Sequence, residues 1–164
     1  MKIAVMSDSH DHTEHIDRVA AAANEAGCAG IFHLGDVVSP FAVYHLRPFR
    51  GQVRAVFGNN DGELFGVQAA FKDIGGEIRQ PPWDCELAGK RILMLHEPIL
   101  LEALVKSQEY DFIFYGHLHE VDCRRTGRTL VLSPGETAGW VKSPGFYIVN
   151  VSSGECERIE LARS

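Results

Sequence analysis

Three short apolar runs separated by helical stretches commit the first third of this 164-residue chain to a parallel sheet. The runs are 2–6 (KIAVM), 30–34 (GIFHL) and 52–57 (QVRAVF). A helix is predicted over 13–27, with Thr13 as its N-cap, alanines at 20–23 in its middle and Gly27 past its end. A short helix over 40–47 carries Pro40 in its first turn, and a weaker helical stretch follows at 64–72.

The second half reads differently. Residues 83–88 and 91–96 are strand-like and meet at Gly89-Lys90, a hairpin signal. A helix fits 98–108, and Phe112–Tyr115 form a strong buried run. Segments 120–125, 128–132, 145–151 and 155–161 alternate like antiparallel strands. They are separated by Thr126-Gly127, Ser133-Pro134-Gly135 and Ser152-Ser153-Gly154. The expectation is one domain over 1–164, an α/β fold with two packed sheets and helices outside.

The length suffices for a core without disulfides or a structural metal, and no apolar run approaches the ~18 residues of a membrane span. The first apolar run reaches Ser7-Asp8 too soon for a secretory leader, so a cytoplasmic location is expected. In that setting Cys28, Cys85, Cys123 and Cys156, which form no CxxC pair, read as reduced thiols. A net charge of −6 argues against a broad basic surface for nucleic acid or anionic membrane. Exposed apolar side chains at Phe41, Tyr44 and Phe65 suggest a face for a homo-oligomer.

Each apolar strand ends in a cluster of metal-capable side chains: Asp8 and His10, Asp36, Asn59 to Asp61, His96, and His117 with His119. Ligands bind beyond the carboxyl ends of strands in open α/β sheets, so five ends can share one crevice. Taken singly, each residue has a plainer explanation. A strand-end aspartate caps helices or forms turns. His33, inside an apolar run, reads as a satisfied core histidine, and His12, His15 and His45 as solvated side chains. The joint pattern is what chance does not explain.

DxH (Asp8–His10), GD (Gly35–Asp36), GN-x-D (Gly58–Asp61), a lone His96 and GHxH (Gly116–His119) follow one another in the chain. In that order they resemble the calcineurin-like metallophosphoesterases, over residues 2 to about 135, and the compact spacing is similar to the small phosphodiesterase branch. The resemblance implies a four-layer αββα sandwich. It also implies a first metal on Asp8, His10 and His119, a second on Asn59, His96 and His117, and Asp36 bridging the two. Two divalent ions are expected. Imidazole mixed with carboxylate suits Mn²⁺, with Fe, Zn²⁺, Ni²⁺ or Mg²⁺ as other candidates. The implied reaction is hydrolysis of a small phosphate ester, most readily a diester, by in-line attack of a metal-bridging hydroxide.

Two positions depart from the family pattern. Many relatives have a histidine where this chain has Asn60, partnered by Asp61 and placed to protonate the leaving group. An amide releases no proton at neutral pH, and general acid catalysis contributes about 10²–10⁴-fold. Glu97 stands where many relatives carry glycine. The alternative reading is a non-catalytic scaffold, as in the retromer subunit of this fold.

Overall fold

The computed structural model describes residues 1–163; Ser164, the last residue of the expected domain, lies outside them. The strands are β1 (Lys2–Met6), β2 (Gly30–His33), β3 (Gln52–Val56), β4 (Glu77–Arg79), β5 (Trp83–Leu87), β6 (Lys90–Met94), β7 (Phe112–Phe114), β8 (Val121–Thr126), β9 (Thr129–Pro134), β10 (Gly145–Asn150) and β11 (Cys156–Glu160). The helices are α1 (Thr13–Glu25), α2 (Pro40–Val43, running into a 3₁₀ turn at Tyr44–Leu46), α3 (Leu64–Asp73) and α4 (Leu101–Ser107). No helix among the described residues is long and apolar enough to cross a membrane.

Two mixed sheets result, ordered β11-β10-β1-β2-β3-β4 and β5-β6-β7-β9-β8. Strands β1 to β4 run parallel, as do β6, β7 and β9; β5, β8, β10 and β11 pair antiparallel with their neighbours. The central strands read as continuous apolar runs because both their faces are buried. Ile3 and Val5 point between the sheets, against Met94, Phe112 and Phe114, whereas Ala4 and Met6 meet α1 to α3 outside. On the far side Leu93, Ile113 and Val131 pack beneath α4. The architecture is the expected αββα sandwich.

Several details differ from the sequence reading. The N-cap of α1 is His12, whose Nδ1 accepts from the His15 amide, so Thr13 is already helical. Helix α4 starts three residues late, because Pro98 precedes it and Leu100 is left-handed, φ 56°. The β5–β6 turn is Ala88-Gly89, both at positive φ as a tight hairpin requires, one residue earlier than expected. Strand β4 escaped notice because only Ile78 of its three residues is buried. The last four strands are not simply antiparallel: β9 joins β7 in parallel, and β10 crosses back to β1 in the other sheet.

Phe114 is fully buried between the sheets and meets Phe32 edge-on, 6.3 Å between centroids. Phe114→Ala is expected to lower unfolding free energy by about 3–5 kcal/mol in urea denaturation. Phe65→Ala, at an 83 % exposed position, should change it by no more than about 0.5 kcal/mol.

Candidate metal centre

Backbone hydrogen bonds stitch the strand ends together. The Asp8 amide donates to Gly35, His10 to Asp36, Gly116 to His96, and Thr137 and Ala138 to the Ser7 and Asp8 carbonyls. Five of the seven candidate ligands sit in left-handed backbone: Asp8, His10, Asp36, His117 and His119. Such conformations cost about 1–3 kcal/mol each and gather where side chains must be aimed.

All seven converge. His10 Nε2 and His119 Nε2 are 3.3 Å apart, and His119 Nε2 lies 3.4 Å from Asp8 Oδ1. On the other side His96 Nε2 and His117 Nδ1 each lie 2.8 Å from Asn59 Oδ1. Asp36 stands between, with Oδ2 3.7 Å from His10 Nε2 and Oδ1 3.5 Å from His96 Nε2. Asp8, Asp36 and His96 are buried, the other imidazoles are half-buried, and Asn59 is exposed, so the cluster opens at one end.

Hydrogen-bond chemistry tests whether a cation fits. Asp8 Oδ1 is buried with no hydrogen-bond partner, while Oδ2 accepts from the His117 amide at 3.0 Å. His119 Nδ1 is engaged by Glu136 Oε2 at 3.1 Å, which in the neutral ring leaves a lone pair on Nε2 facing Asp8. His96 Nδ1 donates to the Leu34 carbonyl at 2.7 Å, again leaving its Nε2 lone pair toward the crevice. A carboxylate oxygen faced by imidazole lone pairs, as at Asp8, His10 and His119, could hold a metal ion. Turning the Asn59 amide over would give its histidines hydrogen bonds; at Asp8 Oδ1 the corresponding donor would be a protonated His119 Nε2, 3.4 Å away.

The electrostatics couple the same two residues. The Asp8 carboxylate raises the His119 imidazole above its ordinary value against the burial that lowers it, and Glu136 adds to the rise. Burial raises the Asp8 carboxyl, yet His119, Ser7 and His96 together outweigh it and the net shift is downward. His33 is the satisfied core histidine expected: burial pulls it down to about 4, and it meets Ser9 Oγ at 2.9 Å.

Three positions do something other than expected. Asn60 donates its backbone N–H to Asp36 Oδ1 and its side-chain amide to Oδ2, both at 2.8 Å, so it steadies that carboxylate. Asp61 does not partner residue 60: its oxygens take the Val38 and Gly58 amides at 2.7 and 2.6 Å. Burial raises its carboxyl. Glu136 was missed altogether. It is fully buried and, besides His119, accepts from the amides of Trp140, Val141 and Lys142. A lone Glu after a strand carries no sequence signal of that role. The cysteines are free as expected, though Cys123 and Cys156 lie side by side.

The motif glycines are places where chain meets ligand. A Cβ on Gly58 would overlap Asp36, and one on Gly116 would overlap Ser7 Oγ and come within 2.8 Å of Asp8 Oδ2. Gly116→Ala is therefore expected to destabilise by about 1–3 kcal/mol in thermal or urea unfolding. Gly62→Ala, where a Cβ meets nothing within 4 Å, should stay within about 0.5 kcal/mol of wild type.

Comparison with known proteins identifies the family. A phosphodiesterase of Methanocaldococcus jannaschii is 32 % identical over 165 residues, spanning 98 % of this chain and 99 % of its own. The solved structure of an archaeal phosphodiesterase superposes with a TM-score of 0.93 at 31 % identity, covering 98 % of this chain and all of that one. Vps29 of Entamoeba histolytica, solved with Zn²⁺, shares the fold at a TM-score of 0.68 and 16 % identity, over 98 % of this chain and 99 % of its own. Residues 1–154 match the calcineurin-like phosphoesterase superfamily domain. On that match and the near-full-length identity, the chain belongs to the calcineurin-like phosphoesterase superfamily.

Proposed function

We propose that this chain is one domain, a dinuclear-metal phosphodiesterase that acts on small phosphate esters in the cytoplasm. The observation that carries the reading is the unpartnered buried oxygen of Asp8, set among imidazoles whose second nitrogens are already engaged. Asp8, His10 and His119 would hold one divalent cation, and Asn59, His96 and His117 the other. Asp36 turns one oxygen to each group and would bridge them. The family implies divalent metals, and this donor set favours Mn²⁺ over a hard, oxygen-seeking ion such as Ca²⁺. When bound, such ions supply Lewis acidity, an acidified water and neutralisation of the phosphoryl oxygens for an in-line displacement.

The chain's own residues set this up. Glu136 and the Leu34 carbonyl take the Nδ1 protons of His119 and His96, which fixes each ring's tautomer and aim. Asn60 steadies Asp36, and Asp61 ties the loop after β3 to Val38. Asn60 can donate a hydrogen bond to a departing oxygen but no proton. A homo-oligomer would use the exposed Phe41 and Phe65; Tyr44, expected with them, is half-buried and donates to Asp73.

Chelation is expected to abolish hydrolysis of aryl phosphodiesters, and Mn²⁺ to restore it better than Ca²⁺. Asp36→Ala should abolish activity and lose more than one equivalent of metal by elemental analysis. Near-native turnover with both metals retained would refute the bridging assignment. Bound metal without turnover on any ester would return the scaffold reading.

The lack of a proton donor at position 60 predicts a steep leaving-group dependence. Aryl diesters should be cleaved at least about 100-fold faster than alkyl diesters, and Asn60→His should narrow that gap by about 10-fold or more. Rates for both substrate classes in both proteins decide it, and a flat dependence in wild type would show that the proton comes from elsewhere.

A further inference from the structure

A cavity of about 490 Å³ opens directly beside the candidate metal centre, a size typical of small-molecule pockets. Asn59 and His96 are among its lining residues, so a phosphate held by the cluster would lie against it. The walls are apolar, among them Phe57, Leu95 and Leu104, and Ile99 and Leu100 stand exposed at the rim. No lysine or arginine lines it, and Glu97 is its one carboxylate among the described residues. The lining therefore suits an uncharged organic group and disfavours a second phosphate. Asn60, at the position where many relatives carry the leaving-group acid, does not line it.

We infer that this cavity is the subsite for an apolar, uncharged ester group that stays on phosphorus during hydrolysis. The inference rests on the phosphodiesterase reading and narrows it to diesters with one hydrophobic substituent. Filling an apolar pocket commonly discriminates by about 10-fold or more between a small and a larger group.

The test keeps the leaving group constant. Mn²⁺-loaded protein is assayed with methyl 4-nitrophenyl phosphate and phenyl 4-nitrophenyl phosphate. Expected is a kcat/KM at least about 10-fold higher for the phenyl ester, with the ratio falling toward one in Leu104→Ser and in Ile99→Ser. Calorimetry reads the same preference without turnover: phenylphosphonate should bind at least about 10-fold more tightly than methylphosphonate. If both esters are cleaved at equal efficiency, or both phosphonates bind equally, the subsite is overturned and the phosphodiesterase reading stands. If neither ester is cleaved although metal is bound, the phosphodiesterase reading fails and the subsite with it.

A separate observation carries a second proposal. Cys123 on β8 and Cys156 on β11 belong to the edge strands of opposite sheets, 33 residues apart in sequence, yet their sulfurs are 2.7 Å apart. Cys123 is exposed and Cys156 half-buried. The geometry points to a reversible disulfide that ties β8 of one sheet to β11 of the other. One cysteine thiolate attacks a small disulfide such as glutathione disulfide, breaking its S–S bond and releasing one thiol. The second cysteine then attacks the mixed disulfide and releases the other, so two thiols are oxidised and the reagent is reduced to two thiols. Burial and the Cys156 sulfur push the Cys123 thiol up to about 12, which keeps its thiolate fraction small.

After glutathione disulfide treatment, peptide mass spectrometry under non-reducing conditions should find Cys123 and Cys156 linked, with Cys28 and Cys85 still free. The oxidised protein should melt about 10 °C higher, and Cys156→Ser should abolish the shift. Glutathione adducts on either cysteine without the linked peptide, or both thiols remaining free, would overturn the pair.

Discussion

The hydrogen bond from the His117 amide to Asp8 Oδ2, 3.0 Å long, is where the two sheets meet at the crevice. Asp8, His10, Asp36 and Asn59 come from the ends of the first sheet, and His96, His117 and His119 from the second. Neither group alone encloses a cation. The bond forms only because Gly116 has no side chain, since any Cβ there would strike Ser7 and Asp8. By occupying Oδ2 it leaves Oδ1 as the oxygen free for the crevice. The amides of Thr137 and Ala138 hang the loop after β9 on the carbonyls of the same two residues, which brings Glu136 to His119. One two-residue segment thus collects three loops.

Holding that arrangement costs conformational energy. Left-handed backbone at Asp8, His10, Asp36, His117 and His119 is matched by Val38 at φ 79°, a demanding position for a β-branched residue. Its amide is held by Asp61, which explains why a carboxylate is buried there although it reaches no ligand. The strain persists because the strands beneath are packed on both faces, in three apolar layers. A loop on a one-sided sheet would relax and lose the aim of its side chains.

What the sequence revealed and concealed follows from the same physics. Strands buried on both faces announce themselves as apolar runs, so β1, β2, β3 and β7 were legible within a residue. Polar residues at the ends of such runs stand out, which is why all seven candidate ligands could be named from the sequence. Short or half-exposed elements carry no such contrast: β4 has one buried residue, and the start of α4 is decided by the backbone of Leu100. Sheet membership was equally hidden, because β10 is attached to β1 by pairing across more than a hundred residues. Glu136 and the Cys123–Cys156 contact are of that kind, products of where chains cross rather than of local pattern.

The charges explain how a protein of net charge −6 can handle an anion. Asp8, Asp36 and Glu136 bring three buried carboxylates to the cluster, and neutral imidazoles and Asn59 offset none of them. Without cations the crevice therefore repels phosphate. The two divalent ions proposed here would reverse the sign, leaving about one positive charge where a count of Asp8 and Asp36 alone would leave about two. On this reading substrate affinity is thermodynamically linked to metal occupancy: cations bind first because the carboxylates demand them, and phosphate follows because the cations do. The neighbouring cavity, with no basic residue of its own, adds nothing to that attraction. Charge then decides only that a phosphate ester enters, and the apolar wall is left to distinguish one ester from another.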